Sequence, residues 1–214
     1  MNRHAESLAA RIEEGVAGLP VRRALLVVGG VLALGCGDPS ATPTAPTAAR
    51  QPLAAVASSG RVGFGFRGTV SGFPTGVVRL TGGGSYAPAT ATNTPDEETT
   101  VASAGGFDCV AGVAQGPLAG CAAGEGVRWD TVQLLASTTF KCTGAAGEAL
   151  KPALTSAGTA VLQADFYRAG DGVEESFTAQ MIVSDTDIAP DVPGTQTLWV
   201  QGVGCGNANA HFSP

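Results

Sequence analysis

At 214 residues, with a formal charge of −6 and only 14% Asp, Glu, Lys and Arg, the chain is acidic, sparsely charged and long enough for one sizeable core. The sign of the charge excludes nucleic acid and anionic headgroups as electrostatic partners. Abundant Gly, Ala, Thr, Val and Ser favour a strand-rich chain over a helical one.

Residues 1–19 carry Glu6, Glu13 and Glu14 in a short amphipathic pattern. Arg22 and Arg23 follow, and then an uncharged run over 24–35 that closes on Leu32, Ala33, Leu34, Gly35 and Cys36. The run has the length of a signal h-region and falls short of the roughly twenty apolar residues that a membrane-spanning helix needs. This layout resembles the lipobox of bacterial lipoproteins, although Ala33 stands where leucine is more usual. The resemblance implies cleavage before Cys36, a diacylglycerol on its thiol and, in many bacteria, a third acyl chain on the freed amine. Each buried methylene contributes about 0.8 kcal/mol, so two or three chains hold firmly where one would not. The implied address is the cell envelope. Gly37, in place of the aspartate that marks inner-membrane retention, points to the outer membrane, with Asp38 one place later. Residues 1–20 do not look like a signal n-region, and initiation at Val21 would leave an ordinary signal. The arginine pair also resembles a twin-arginine signal, but Val21 occupies the position before it where a polar residue is expected.

Residues 36–59 read as a tether. Pro39, Pro43, Pro46 and Pro52 interrupt Ala and Thr without apolar periodicity, which favours an extended chain of about 3 Å per residue. From Cys36 onward eight Lys and Arg face fifteen Asp and Glu. Residues 60–210 are expected to form a single β-domain.

Short apolar runs broken by Gly, Pro and Asp mark that domain as a series of strands. Val62, Phe64 and Phe66 alternate with Gly63, Gly65 and Arg67, which gives a strand with one apolar face. Further strands are expected over 76–80, 99–103, 106–113, 127–140, 159–168, 173–184 and 195–202. Gly170, Asp171 and Gly172 supply a tight turn for a hairpin between two of them. No helical pattern intervenes, so the fold class is all-β, an antiparallel β-sandwich, with a closed β-barrel as second choice. A transmembrane barrel would need aromatic girdles, which two Tyr and two Trp cannot build.

Cys109, Cys121, Cys142 and Cys205 form an even set, which in an exported chain reads as two disulfides with three possible connectivities. Spacing alone does not choose among them. Cys109 with Cys121 is preferred because Gly116 and Pro117 offer a turn between them, and Cys142 with Cys205 would tie two strand ends. A four-thiolate zinc site would bring its ligands in close pairs, and none occurs.

Candidate chemistry is sparse. His211 is the one histidine after Cys36 and lies in a terminal segment expected to fray, which disfavours a nucleophile paired with it. Gly63, Gly65 and Gly68 spell G-x-G-x-x-G, yet they sit inside a strand pattern instead of between a strand and a helix. Glu125 and Asp130 flank Trp129, an arrangement that a glycan-hydrolysing or glycan-binding site could use, whereas a buried Trp is the commoner outcome. Asp185, Asp187 and Asp191 have the spacing of a calcium loop but lack its glycine and terminal glutamate.

The stretches GPLAGC, GEGVRWDT, STTFKCTG, QADFYRAGDG, DIAPD and WVQGVGCG, spread over 82–206, resemble a recurring type of exported bacterial β-rich protein of unassigned activity. That resemblance implies no substrate, cofactor or catalytic residue. The expectation is a membrane-anchored, extracytoplasmic, non-catalytic β-domain that binds a protein or glycan or shapes the envelope, without a cofactor. The alternatives are glycan processing near Trp129 and a small-ligand carrier, which would require an open apolar interior.

Overall fold

The computed structural model describes residues 60–168 and 175–214. The segment 1–35, Cys36, the tether over 36–59 and the turn at 170–172 lie outside the described residues. Among the described residues eleven strands follow one another: β1 (Val62–Gly72), β2 (Val77–Tyr86), β3 (Val101–Ala111), β4 (Arg128–Leu134), β5 (Ser137–Phe140), β6 (Lys151–Leu154), β7 (Thr159–Arg168), β8 (Glu175–Ser184), β9 (Leu198–Val200), β10 (Gly204–Gly206) and β11 (Ala208–Ser213). Nine of them make one antiparallel sheet in the order β10-β9-β8-β7-β4-β3-β2-β1-β11, and β10 also pairs with β1. The hydrogen bonding therefore runs round as a ring about a shared core. The all-β, antiparallel expectation holds.

Alternation builds that core. Val62, Phe64, Phe66 and Val70 of β1 point inward, as do Val78, Leu80 and Tyr86 of β2 and Phe107 and Cys109 of β3. Trp129, Phe166, Leu80, Leu162 and Met181 are fully buried, so side chains fill the interior and the small-ligand carrier is set aside. At two glycines of β2 and β3 the reason is space. Gly105 lies opposite Trp129 in register and Gly82 is one strand further on; a Cβ on either would collide with the indole, standing 2.7 Å from its Nε1 at Gly105. That extended glycine explains why the runs expected at 99–103 and 106–113 join into the single strand β3.

The run expected over 127–140 divides instead. A bulge between Thr131 and Gln133 shifts the register of β4, and the chain then leaves the sheet to form β5. β5 pairs only with β6, which Pro152 and Lys151 disguised in the sequence. These two strands make a flap whose Phe140 and Ala153, with Leu135, join Val161, Ile182 and Trp199 in a second apolar cluster. β7, β8 and β9 are thus buried on both faces where the flap covers them, which accounts for the unbroken apolar runs Ala160-Val161-Leu162, Met181-Ile182-Val183 and Leu198-Trp199-Val200. Trp199 donates its indole N–H to the carbonyl of Lys141 at 2.9 Å and packs on Phe140 with ring centroids 5.5 Å apart.

Two disulfides fasten the loops to this frame. Cys109–Cys121 joins β3 to the following turn, with Cα atoms 6.2 Å apart, and Cys142–Cys205 joins the chain just after β5 to β10, at 4.7 Å. Beside the second bond, Glu148 accepts from the backbone N–H of Cys142 and of Thr143 at 2.7 and 2.8 Å, and from Lys151 Nζ at 2.8 Å. Lys151 reaches on to Asp191 at 3.1 Å, so an ion network pins the flap to the loop before β9.

Candidate binding groove

The residues singled out in the sequence do not form one site. Trp129 has no exposed surface and donates its indole N–H to the carbonyl of Thr81 at 3.0 Å, so it is a core residue and cannot serve as a sugar platform. Glu125 turns back on its own loop, accepting from the backbone N–H of Ala122 at 2.9 Å, with Arg168 3.6 Å away. Asp130 lies on the outer face of the sheet, where the hydroxyl of Tyr167 approaches it at 3.4 Å. Reading Glu125, Trp129 and Asp130 as one constellation is corrected on these grounds: alternation along β4 puts the ring inside and the carboxylate of Asp130 outside.

The calcium reading is corrected as well. Asp187 accepts from the backbone N–H of Ala189 at 3.0 Å and of Gln196 at 3.1 Å, which closes a loop, and Asp191 is paired with Lys151. Asp185 stands against Gly158, close enough that a Cβ there would lie 2.6 Å from its carboxylate. Burial first, and then the charge of Asp185, push the phenol of Tyr86 well above its usual range; its hydroxyl donates to the carbonyl of Ser156 at 2.7 Å. Among the described residues no group of three His, Cys, Asp or Glu could hold a metal. His211 is not in a frayed end: it belongs to β11, in register with Gly65 of β1, and its ring occupies the outer face over that glycine.

The feature that sequence reasoning missed lies on the outer face of β4, β7 and β8. Register pairs Gln133 with Gln163 and Gln163 with Gln180, so three amides from separate stretches of chain form one row. The row begins where the flap ends: Val161 and Ile182, two residues away on the same face, are covered by it, whereas Gln163 and Gln180 are not. Loop 93–99 forms the opposite wall. Together they enclose a groove of about 670 Å³ lined by the three glutamines, by Asn93 and Ser137, by the acids Asp96, Glu97 and Glu98, and by Val132 and Leu135. That volume lies within the range of ordinary ligand sites, roughly 300–1,000 Å³.

Each amide is oriented differently. Gln133 donates its Nε2 to the carbonyl of Thr94 at 2.8 Å, which leaves its Oε1 as an acceptor without a hydrogen bond among the described residues. Gln180 accepts the hydroxyl of Thr138 on its Oε1, which leaves its Nε2 to donate. Gln163, between them, makes no side-chain hydrogen bond among the described residues and presents both groups. Glu97 is engaged by the hydroxyl of Thr92 at 2.7 Å, and Asp96 holds a left-handed backbone at φ 62°, a conformation that Asp tolerates better than most residues. Among the described residues no Lys, Arg or His lines the groove. The bulge after Thr131 leaves Val132 on the rim, 55% exposed.

The fold and groove define a disulfide-bonded, all-β domain with an open polar groove on its outer sheet face. No protein-family model, curated protein or solved structure matched the chain.

Proposed function

We propose that the chain is a bacterial lipoprotein whose mature domain, tethered at Cys36 in the cell envelope and on the outer membrane, acts by binding and not by catalysis. The observation that carries the binding reading is the row Gln133, Gln163 and Gln180 on the floor of an open groove, with an uncommitted amide at its centre. The two disulfides fit an oxidising compartment outside the cytoplasm. Among the described residues no helix is long and apolar enough to cross a membrane.

A glycan-processing enzyme is the competing class. Asp130 and Asp165 do face each other in register across β4 and β7, but Asp165 accepts the hydroxyl of Thr178, and Asp130 is met by that of Tyr167. Both are engaged as acceptors on an open sheet face, which supports binding over hydrolysis.

Two measurements test the reading. Mass spectrometry of the protein from its native envelope is expected to find a diacylated N-terminal Cys36, and a Cys36→Ser chain is expected to leave the membrane fraction; an unmodified residue 36 overturns the anchor. The immobilised protein is expected to retain an envelope component that a Gln163→Ala variant releases, and retention by neither overturns the binding role.

A further inference from the structure

We infer that the groove over β4, β7 and β8 is a site for a neutral, polyhydroxylated ligand, an oligosaccharide free of acidic groups; this rests on the binding role proposed above. The polarity of the amides is the first argument. An anion is recognised by donors alone and a cation by acceptors alone, whereas a sugar hydroxyl both gives and accepts a hydrogen bond. Gln133, held by the carbonyl of Thr94, offers an acceptor, and Gln180, held by the hydroxyl of Thr138, offers a donor. Gln163 between them offers one of each. Adjacent strands lie about 4.8 Å apart, so these groups repeat across the floor at a spacing of that order, fixed by the sheet instead of by mobile loops.

Charge is the second argument. Asp96, Glu97 and Glu98 stand on the wall and among the described residues no cation lines the groove, so a uronate, a phosphate or a sulfated glycan would meet repulsion without compensation there. A cationic peptide would gain most from carboxylates on the floor, but the floor is amide, and Glu97 already takes the hydroxyl of Thr92.

The third argument is that the groove is amphipathic in the way a sugar ring is. Hydroxyls project from the rim of a pyranose while its faces carry C–H groups, and here the exposed Val132 supplies an apolar surface beside the amide row. Val132 follows Asp130 outward by alternation, and the register shift in β4 creates the juxtaposition by turning Gln133 outward beside it. Prior pairing of Gln133 and Gln180 lowers the cost of ordering them when the ligand arrives.

The full-length protein, isolated from the envelope in mild detergent, would be titrated with neutral gluco-, manno- and galacto-oligosaccharides, with an oligogalacturonate and with an oligolysine. Saturable binding of a neutral oligosaccharide, weakened tenfold or more in Gln163→Ala and in Gln163→Leu but unchanged in Thr178→Ala, is the expected result. Thr178 faces the same side one row beyond the groove and serves as the control for folding. Equal binding of the uronate, or neutral-sugar binding that ignores both Gln163 variants, overturns the assignment. If no sugar binds while the wild type still retains an envelope component that Gln163→Ala releases, the ligand class falls and the binding role stands. If neither sugars, oligolysine nor any envelope component is held, both fall.

Discussion

Phe66 on β1 and Trp129 on β4 pack with ring centroids 5.8 Å apart although two strands separate them in the sheet. They meet because the positions between them in register, Gly82 and Gly105, carry no side chain, and the indole lies across both. Replacing Gly82 by Ala forces the ring out of place. Overpacking of this kind costs about 1–3 kcal/mol. Gly106→Ala is the matched control, since a Cβ there meets only Thr81 Oγ1 and the carbonyl of Val127, each at 3.5 Å. Chemical denaturation is expected to show a clear loss for the first variant and little change for the second; equal stability of the two would refute the cradle.

Removing Cys142–Cys205 frees the flap from β10. The bond closes a separation of 63 residues, against 12 for Cys109–Cys121, and chain-entropy arguments give disulfides about 2–4 kcal/mol, more for the longer loop. The double variant Cys142→Ser, Cys205→Ser is expected to lose more stability than its Cys109, Cys121 counterpart. Its Trp199 emission should also move to the red as the flap lifts from the second cluster.

Acid should weaken the same corner. Burial alone would raise the carboxyl of Glu148, but hydrogen bonds from Lys151, from the Thr143 hydroxyl and from the backbone N–H of Cys142 and Thr143 outweigh it and hold the group at about 2, below its ordinary 4.5. Because the folded value is depressed, the stabilisation is complete above about pH 4.5 and fades as pH falls toward 2. Melting curves of the wild type and Glu148→Gln should therefore lie apart at neutral pH and converge through that interval. A constant gap across it would show that Glu148 acts by shape and not by charge.

Asp187 is a structural residue of its loop. Asp187→Ala strands the backbone N–H groups of Ala189 and Gln196 and is expected to cost about 1–3 kcal/mol. Millimolar calcium should leave the wild-type melting temperature where it was. A calcium-dependent rise that the variant lacks would restore the metal reading.

How much was legible follows from how local each signal is. Alternation along β1 and the long runs of β7 and β8 could be read directly because each strand carries its own pattern. The disulfide partners followed from a turn between two cysteines and from strand ends. β6, β10 and β11 escaped because Pro152, Gly204, Gly206 and the terminal position of Ala208–Ser213 argue against strands unless a partner is known. Burial of Trp129 was the commoner outcome to expect, but what receives the ring was not legible, because the glycines that cradle it belong to β2 and β3. The glutamine row was invisible for the same kind of reason. Gln133, Gln163 and Gln180 become neighbours only through strand register, and a single bulge decides that Gln133 faces out.

The meeting of β1 with β10 and β11 closes the ring between strands far apart in sequence. The edge of β1 stays unpaired until those two strands are in place, so the ring cannot be completed from its early hairpins alone. Closure is thus a late, long-range contact, and loss of either partner bares a sheet edge of the kind that foreign strands pair with.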